Sequence, residues 1–166
     1  MGMGSPVVRD ADVADFPRIL ELNRGVVAVT SPLDWAGLQR LHDLSCHHRV
    51  AESAGRVVGF LLALAEGQPY RNPNYEWFAA RYPTFVYIDR VVVAPEARGR
   101  GVGRLLYEDL FRALAARGTG VVGCEYTVDP PNEASRKFHT ALGFREVGRQ
   151  RVAGGAKEVS LQVFRP

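Results

Sequence analysis

The sequence is poor in the features that mark secreted, membrane-spanning or disulfide-rich proteins. It has 2 cysteines in 166 residues, too few for a disulfide framework, so we expect both thiols to be reduced. No apolar stretch approaches the roughly 20 residues of a membrane helix, and no basic segment followed by an apolar run stands at the amino terminus. These absences predict a cytoplasmic protein that is neither secreted nor inserted in a membrane.

An excess of one sign of charge is also missing. Lysine and arginine number 21 against 18 acidic residues, which leaves a net charge of +3. A nucleic-acid-binding protein usually carries a dense basic face, whereas the arginines here stand singly except at Arg98, Arg100 and Arg104. The charge pattern therefore predicts a small anionic ligand and no nucleic-acid partner.

The hydrophobic pattern predicts one domain over residues 6–166, with residues 1–5 disordered or extraneous to it. The predicted strands are 7–9, 48–52, 57–65, 84–94, 121–128, 144–152 and 157–164. Three predicted helices start at Asp12, Asp34 and Asn74, and two more cover residues 100–117 and 132–142. Strands and helices in this order predict a mixed sheet with helices on both faces.

The segment from Tyr87 to Arg104 is the most informative, because it joins a buried strand directly to a helix through a glycine-rich turn. Gly99, Gly101 and Gly103 allow successive backbone N–H groups to point toward one site. The helix N-terminus adds the positive end of its dipole, and the neighbouring arginines add charge. The segment therefore predicts a phosphate-binding turn.

The residues of this turn exclude two common nucleotide-binding motifs. No Gly-Lys-Ser/Thr follows the turn, so it is not a Walker A loop. A dinucleotide fingerprint Gly-x-Gly-x-x-Gly requires a third glycine where this sequence has Arg104 or, in the later register, Leu106.

The pattern Arg98-x-x-Gly101-x-Gly103 resembles the Arg/Gln-x-x-Gly-x-Gly/Ala signature of the GNAT superfamily of N-acetyltransferases. A second block, from Asn132 through Phe138 to Gly143-Phe144, looks like the downstream helix of that family. The resemblance implies an α/β (α+β) fold, with a mixed, mostly antiparallel central sheet of about seven strands. It also implies helices on both faces of the sheet and splayed central strands.

The resemblance further implies acetyl-CoA as co-substrate, no metal, and a primary amine of a small molecule or protein as acceptor. In such enzymes the coenzyme lies between the splayed strands with its pyrophosphate on the glycine turn. The residues that would contact it here are Val91, Val92, Val93, Arg98, Gly99, Arg100, Gly101, Val102, Gly103, Arg104, Asn132, Ser135 and Phe138.

Acetyl transfer needs a group that takes the amine proton. Glu125 lies in an apolar strand, where burial of an isolated carboxylate is costly, so we expect it to face a cleft. It resembles the strand carboxylate that some family members use as a base, although two extra residues separate it from Asn132. The alternative is a structural hydrogen bond. Tyr87 and Asp89 share one strand face and either could reach the amine, but an ion pair with an arginine is the favoured role for Asp89.

The reaction also needs a proton for the departing thiolate. The family usually places a tyrosine seven residues after the Asn132 position, and this sequence has His139 there. Helical spacing predicts that His139 is not a core residue, and it predicts an apolar stripe of Ala134, Phe138, Ala141 and Leu142. We interpret His139 as a replacement for the tyrosine acid. The alternative is a polar side chain on the surface without a catalytic role.

Other interpretations stay open at this point. The cluster His42, Cys46, His47 and His48 superficially resembles a metal-ligand pattern, but the predicted helix ends within it. A non-catalytic acyl-CoA-binding or regulatory domain is the alternative to an enzyme. The aromatic segment 70–82 could pack on the core or line the acceptor site, and a homodimer is also open.

Overall fold

The computed structural model of the chain describes Gly2, residues 4–27 and residues 30–166. The expectation for residues 1–5 falls partly on Met1 and Met3, which lie outside the described residues. The carbonyl of Gly4 accepts a 2.6 Å hydrogen bond from the Ser53 hydroxyl, so residue 4 is attached to the strand that contains Ser53.

Seven strands and five α-helices occupy the described residues, as the sequence predicts. The strands are β1 (Val7–Asp10), β2 (His47–Ser53), β3 (Arg56–Ala65), β4 (Val86–Val93), β5 (Val122–Asp129), β6 (Arg145–Val152) and β7 (Lys157–Phe164). The helices are α1 (Phe16–Arg24), α2 (Trp35–Leu44), α3 (Pro73–Ala79), α4 (Val102–Arg117) and α5 (Glu133–Leu142). In these ranges no helix combines the length and hydropathy that crossing a membrane requires.

The strands form one sheet in the order β1-β2-β3-β4-β5-β7-β6. The pairs β1/β2, β2/β3, β5/β7 and β6/β7 are antiparallel, and β4/β5 is parallel through Val86 with Val122 and Tyr87 with Gly123. The prediction of a mixed, mostly antiparallel sheet of seven strands is therefore confirmed. The splay of the central strands stays a prediction.

The chain divides into two compact units, and the boundaries between them fall at the end of β3 and within β4 and α4. The first comprises residues 1–64 and 89–113, and the second comprises residues 65–88 and 114–166. The prediction of a single domain over 6–166 is not decided by this division and stays a prediction.

The first unit has a core of apolar side chains from α1, α2, α4 and the strands β2 and β3. Those with no exposed surface include Phe16, Ile19, Leu38, Val50, Phe60, Leu106 and Leu110. Gly59 on β3 permits the close approach of β4 and α4, since an added Cβ would lie 3.0 Å from the Val92 carbonyl and 3.1 Å from a Val102 methyl. The amide of Ala94 donates to the Val58 carbonyl at 2.8 Å, so the end of β4 is fixed against β3.

The second unit has an aromatic core beneath α3. Phe78 packs on β5 at Gly123, where an added Cβ would come within 2.7 Å of the Phe78 ring. Trp77 packs on β6 at Gly148, where the corresponding distance is 2.5 Å. These two glycines are thus required by the aromatic helix, and any larger side chain there would displace it.

Two predicted helix starts were wrong. Asn72, not Asn74, caps α3 by accepting from the amides of Asn74 and Tyr75, because Pro73 occupies the first helical position, where its missing N–H costs nothing. Helix α4 begins at Val102, not at Arg100, because Gly99 and Gly101 have φ values of +74° and +78°, which the right-handed helix does not allow.

Candidate active site

The glycine turn before α4 has the geometry of an anion-binding loop. Gly99 and Gly101 lie exposed in the left-handed region, alternating with Arg100, and such alternation turns consecutive N–H groups toward one side. The first intrahelical bond runs from the Leu105 amide to the Gly101 carbonyl at 2.9 Å. The amides of residues 102–104 therefore belong to the helix N-terminus, where they have no partner within the helix.

The arginines of the turn differ in their surroundings. Arg98 and Arg100 are exposed, whereas Arg104 pairs with Glu108 at 2.9 Å. Val102 is only 2% exposed and packs against Gly59, so its side chain belongs to the core and only its backbone could contact a ligand. Arg98 and Arg100 thus supply the positive charge nearest to the two left-handed glycines in sequence.

The second half of β4 alternates between the core and a half-exposed face. Val92 is 4% exposed and buried, whereas Val91 and Val93 are half-buried on the other face. The Asp89 side chain is only 2% exposed. This alternation leaves the face of Val91 and Val93 with partial access to a ligand. Their contact with the coenzyme stays a prediction.

Asp89 forms an ion pair with Arg90, whose Nε lies 2.6 Å from the Asp89 carboxylate. The guanidinium also donates to Asn23 Oδ1 at 3.0 Å and to the Ser31 hydroxyl at 2.9 Å. Sequence reasoning anticipated an arginine partner for Asp89 but missed this network, because its members lie up to 67 positions apart. The network occupies Asp89 with structural contacts, as the favoured sequence interpretation holds.

Glu125 is half-buried on β5 and accepts a 2.9 Å hydrogen bond from the Tyr87 hydroxyl. Tyr87 pairs with Gly123, two residues before Glu125, so both side chains rise on the face covered by Phe78. The ring of Tyr87 has no exposed surface and lies 5.9 Å from that of Phe78. A carboxylate held by a buried phenol in aromatic surroundings can accept a proton from a bound amine.

His139 is a core residue, so the prediction from helical spacing was wrong. It is 4% exposed, stacks on Tyr126 with ring centroids 5.8 Å apart, and meets Phe144 edge-on at 5.2 Å. The predicted apolar stripe was also wrong, since Ala134 and Ala141 are exposed and the buried side of α5 is formed around this histidine. Hydrophobic periodicity failed because the buried face of α5 carries polar residues.

The hydrogen bonds of His139 determine which ring nitrogen carries its proton. Nδ1 lies 2.8 Å from the Ser135 carbonyl and 3.1 Å from the Ser135 hydroxyl. A carbonyl only accepts, so Nδ1 must donate, and in the neutral ring Nε2 is then the unprotonated nitrogen. Burial lowers the pKa of His139, while the bond to the Ser135 carbonyl opposes that shift. The ring is therefore neutral near pH 7.

Asn132 caps α5, because its side-chain oxygen accepts from the Ser135 amide at 3.2 Å. Ser135 is thus bonded to both Asn132 and His139, whereas Phe138 is half-buried and contacts His139 edge-on at 5.3 Å. The structure brings these four predicted residues together on one helix. Their contact with the coenzyme stays a prediction.

Strand β5 separates Glu125 from His139, two of the candidate catalytic residues of the second unit. Glu125 points to the face of Tyr87 and Phe78, whereas the next residue, Tyr126, points to the face of His139. This arrangement follows from the sequence, because successive side chains of a strand point to opposite faces of the sheet.

The histidine cluster of the first unit is arranged by hydrogen bonding. His42 and His48 meet through their Nδ1 atoms at 2.8 Å, and Cys46 donates from Sγ to the Ala63 carbonyl at 3.6 Å. Within residues 2, 4–27 and 30–166, no group of three or more His, Cys, Asp and Glu side chains is placed to hold a metal ion. Cys46 and Cys124 are both free thiols.

Comparison with known proteins gives one family and several relatives. The profile of the acetyltransferase (GNAT) family matches residues 11–144. A phosphinothricin N-acetyltransferase of Streptomyces coelicolor is 43% identical over 95 residues, which cover 57% of this chain and 50% of that protein. An L-2,4-diaminobutyric acid acetyltransferase of Nocardia farcinica is 28% identical over 143 residues, which cover 86% of this chain and 66% of that protein.

The chain thus spans between half and two thirds of the length of these two curated relatives. Among solved structures, yncA from Salmonella typhimurium with its cofactor acetyl-CoA superimposes with a TM-score of 0.73 at 22% identity. The superposition covers 98% of this chain and 94% of that one. At this identity the likeness concerns the fold.

Proposed function

The chain belongs to the acetyltransferase (GNAT) family, and from this premise we propose that it transfers an acetyl group from acetyl-CoA to a primary amine. The observation that carries the proposal is the turn before α4, where two exposed left-handed glycines precede a helix N-terminus. Such a turn suits the pyrophosphate of the coenzyme, because its amides and the helix dipole both favour a dianion. The exposed side chains of Arg98 and Arg100 add positive charge next to the two glycines.

We further propose that Glu125 is the base. The amine attacks the thioester carbonyl and must lose a proton as the C–N bond forms. Glu125 is half-buried and already oriented by Tyr87, so its carboxylate can take that proton directly or through one water molecule. The acid role of His139 stays a prediction, and it requires a proton at Nε2 that the neutral ring lacks.

For the acceptor we propose a small amine of the amino-acid type. The support comes from the names of two relatives, which act on phosphinothricin and on L-2,4-diaminobutyric acid. A peptide amino terminus is the alternative class of acceptor. Small amino-acid amines and peptides should therefore be assayed together as acceptors.

The test is release of free thiol from acetyl-CoA in the presence of each amine. We expect acceptor-dependent thiol with at least one small amino-acid amine, and a fall in kcat of about 100-fold in Glu125→Gln. The glutamine still accepts from Tyr87, so the variant removes the base and keeps the hydrogen bond. Glu21→Gln on the exposed side of α1 is the control and should keep full activity.

Coenzyme binding without thiol release for any amine would contradict the proposal and favour the non-catalytic acyl-CoA-binding domain. Full activity of Glu125→Gln would leave the reaction in place and reject the base.

A further inference from the structure

A line of four polar side chains crosses β6, β7 and β5 in the second unit. The Ser160 hydroxyl contacts the Glu146 carboxylate in a short hydrogen bond. Gln162 Nε2 lies 2.7 Å from the Ser160 oxygen and 3.2 Å from the Tyr126 hydroxyl. Ser160 and Gln162 are 0% and 3% exposed. Buried polar groups of this kind must be paired, so the line is an ordered network.

The network has only one possible direction. The carboxylate of Glu146 accepts, and the Ser160 hydrogen bond is the first cause of its lowered pKa. Ser160 must therefore donate to Glu146, and its oxygen is left to accept from Gln162. The amide of Gln162 is thereby oriented with its nitrogen toward both hydroxyls, so it also donates to Tyr126.

The consequence falls on the hydroxyl of Tyr126. Its oxygen accepts from Gln162, so its own hydrogen must be directed to another acceptor. In the part of the chain that the structure describes, this hydroxyl accepts the hydrogen bond from Gln162 and makes no other. The half-buried Tyr126 thus presents an oriented donor, held from behind by a fully buried amide.

The neighbouring ring cannot supply the same proton. His139 stacks on Tyr126, but its Nδ1 hydrogen is committed to the Ser135 carbonyl and its Nε2 is unprotonated when the ring is neutral. Of these two stacked rings, Tyr126 is therefore the one whose hydrogen is available to donate.

We propose that Tyr126 protonates the coenzyme A sulfur as the thioester breaks, with His139 as the ring that positions it. This inference rests on the proposed function. The amine nitrogen attacks the carbonyl carbon, the C–S bond breaks with its electron pair on sulfur, and the sulfur takes the phenol proton. The tyrosinate recovers a proton from water, and the proton that Glu125 took from the amine returns to water.

The test compares the chain with Tyr126→Phe, which keeps the ring stack and removes the hydroxyl. The primary readout is the pH at which the thiol of bound coenzyme A ionises, followed by ultraviolet absorbance, with desulfo-coenzyme A as the matched ligand. A hydroxyl that donates to the sulfur stabilises the thiolate, so the thiol should ionise roughly one pH unit higher in the variant. We also expect kcat to fall about 10-fold or more with little change in the KM for acetyl-CoA.

Two further variants serve as a control and as a second test of the network. Tyr107→Phe removes the hydroxyl of a tyrosine in α4 of the first unit and should leave both readouts unchanged. Gln162→Met removes the donor behind Tyr126 and should move thiol ionisation in the same direction by less. Equal thiol ionisation and equal kcat in the chain and Tyr126→Phe would overturn the proposal.

Failure of the inference and failure of the proposed function give different results. If the unaltered chain binds no coenzyme A, both are overturned. If it binds and turns over, but His139→Asn loses activity while Tyr126→Phe retains it, only this inference is overturned and His139 is the acid.

Discussion

The contact between Tyr87 and Glu125 shows how one buried hydroxyl can set the reactivity of a carboxylate. A donor at 2.9 Å stabilises the ionised carboxylate, so its removal should make Glu125 hold a proton at higher pH. We expect Tyr87→Phe to shift the acidic limb of kcat/KM to higher pH and to lower activity at pH 6 more than at pH 8. A pH–rate profile of the two proteins checks this, with Tyr107→Phe in α4 as the control.

An unshifted acidic limb in Tyr87→Phe would mean that Glu125 is not the titrating base. At this same scale the sequence was a partial guide. A lone glutamate in an apolar strand indicated either a cleft or a structural hydrogen bond, and the structure shows a hydrogen bond from Tyr87. The burial of His139 could not be read from helical spacing. Its partners, Tyr126 and Phe144, lie outside α5, and aromatic stacking across elements leaves no periodic signal.

Among the elements, the turn before α4 offers a matched comparison. Gly101 and Gly67 both have φ of +78°, and neither has an atom within 4 Å of an added Cβ. Alanine at either position should therefore cost a similar free energy of unfolding, about 1 kcal/mol, because of backbone strain alone. We expect only Gly101→Ala to weaken acetyl-CoA binding, measured by calorimetry, since Gly67 lies in the turn after β3.

Equal coenzyme affinity in Gly101→Ala and Gly67→Ala would reject the turn as the pyrophosphate site. The elements themselves were largely predictable, because glycine and proline mark their ends in the sequence. The start of α3 could have been predicted from the sequence, because Asn72-Pro73 is a typical pair at a helix start. The aromatic spacing after Asn74 indicated a later start, which was wrong.

For the whole molecule, buried histidines make stability depend on pH. Burial, as the largest cause, together with the charges of His42 and His47, lowers the pKa of His48 from 6.5 to about 4, although Asp15 opposes the shift. Between these values the unfolded chain binds the extra proton, so stability is lost as the pH falls from 6.5 to about 4. The shift corresponds to about 3 kcal/mol, and His139 contributes in the same direction.

We expect His48→Asn to flatten this dependence, because an amide can replace Nδ1 beside His42 and does not titrate. Urea unfolding at several pH values measures the slope, and an unchanged slope between pH 6.5 and 4 would contradict the assignment. The number of strands and their succession along the chain followed from the sequence pattern, but such long-range contacts did not. The ring pair of His42 and His48 and the network of Arg90 join residues whose proximity is created only by folding.

The alternation of β5 gives the proposed chemistry a strict dependence on strand register. Glu125 and Tyr126 are adjacent in sequence, so inserting or deleting one residue earlier in β5 would send the base to the histidine side and the phenol to the aromatic side. The irregularity in pairing between β5 and β7 lies between Thr127 and Asp129, after both residues. The chain can therefore change length downstream of both residues without exchanging the proposed acid and the proposed base.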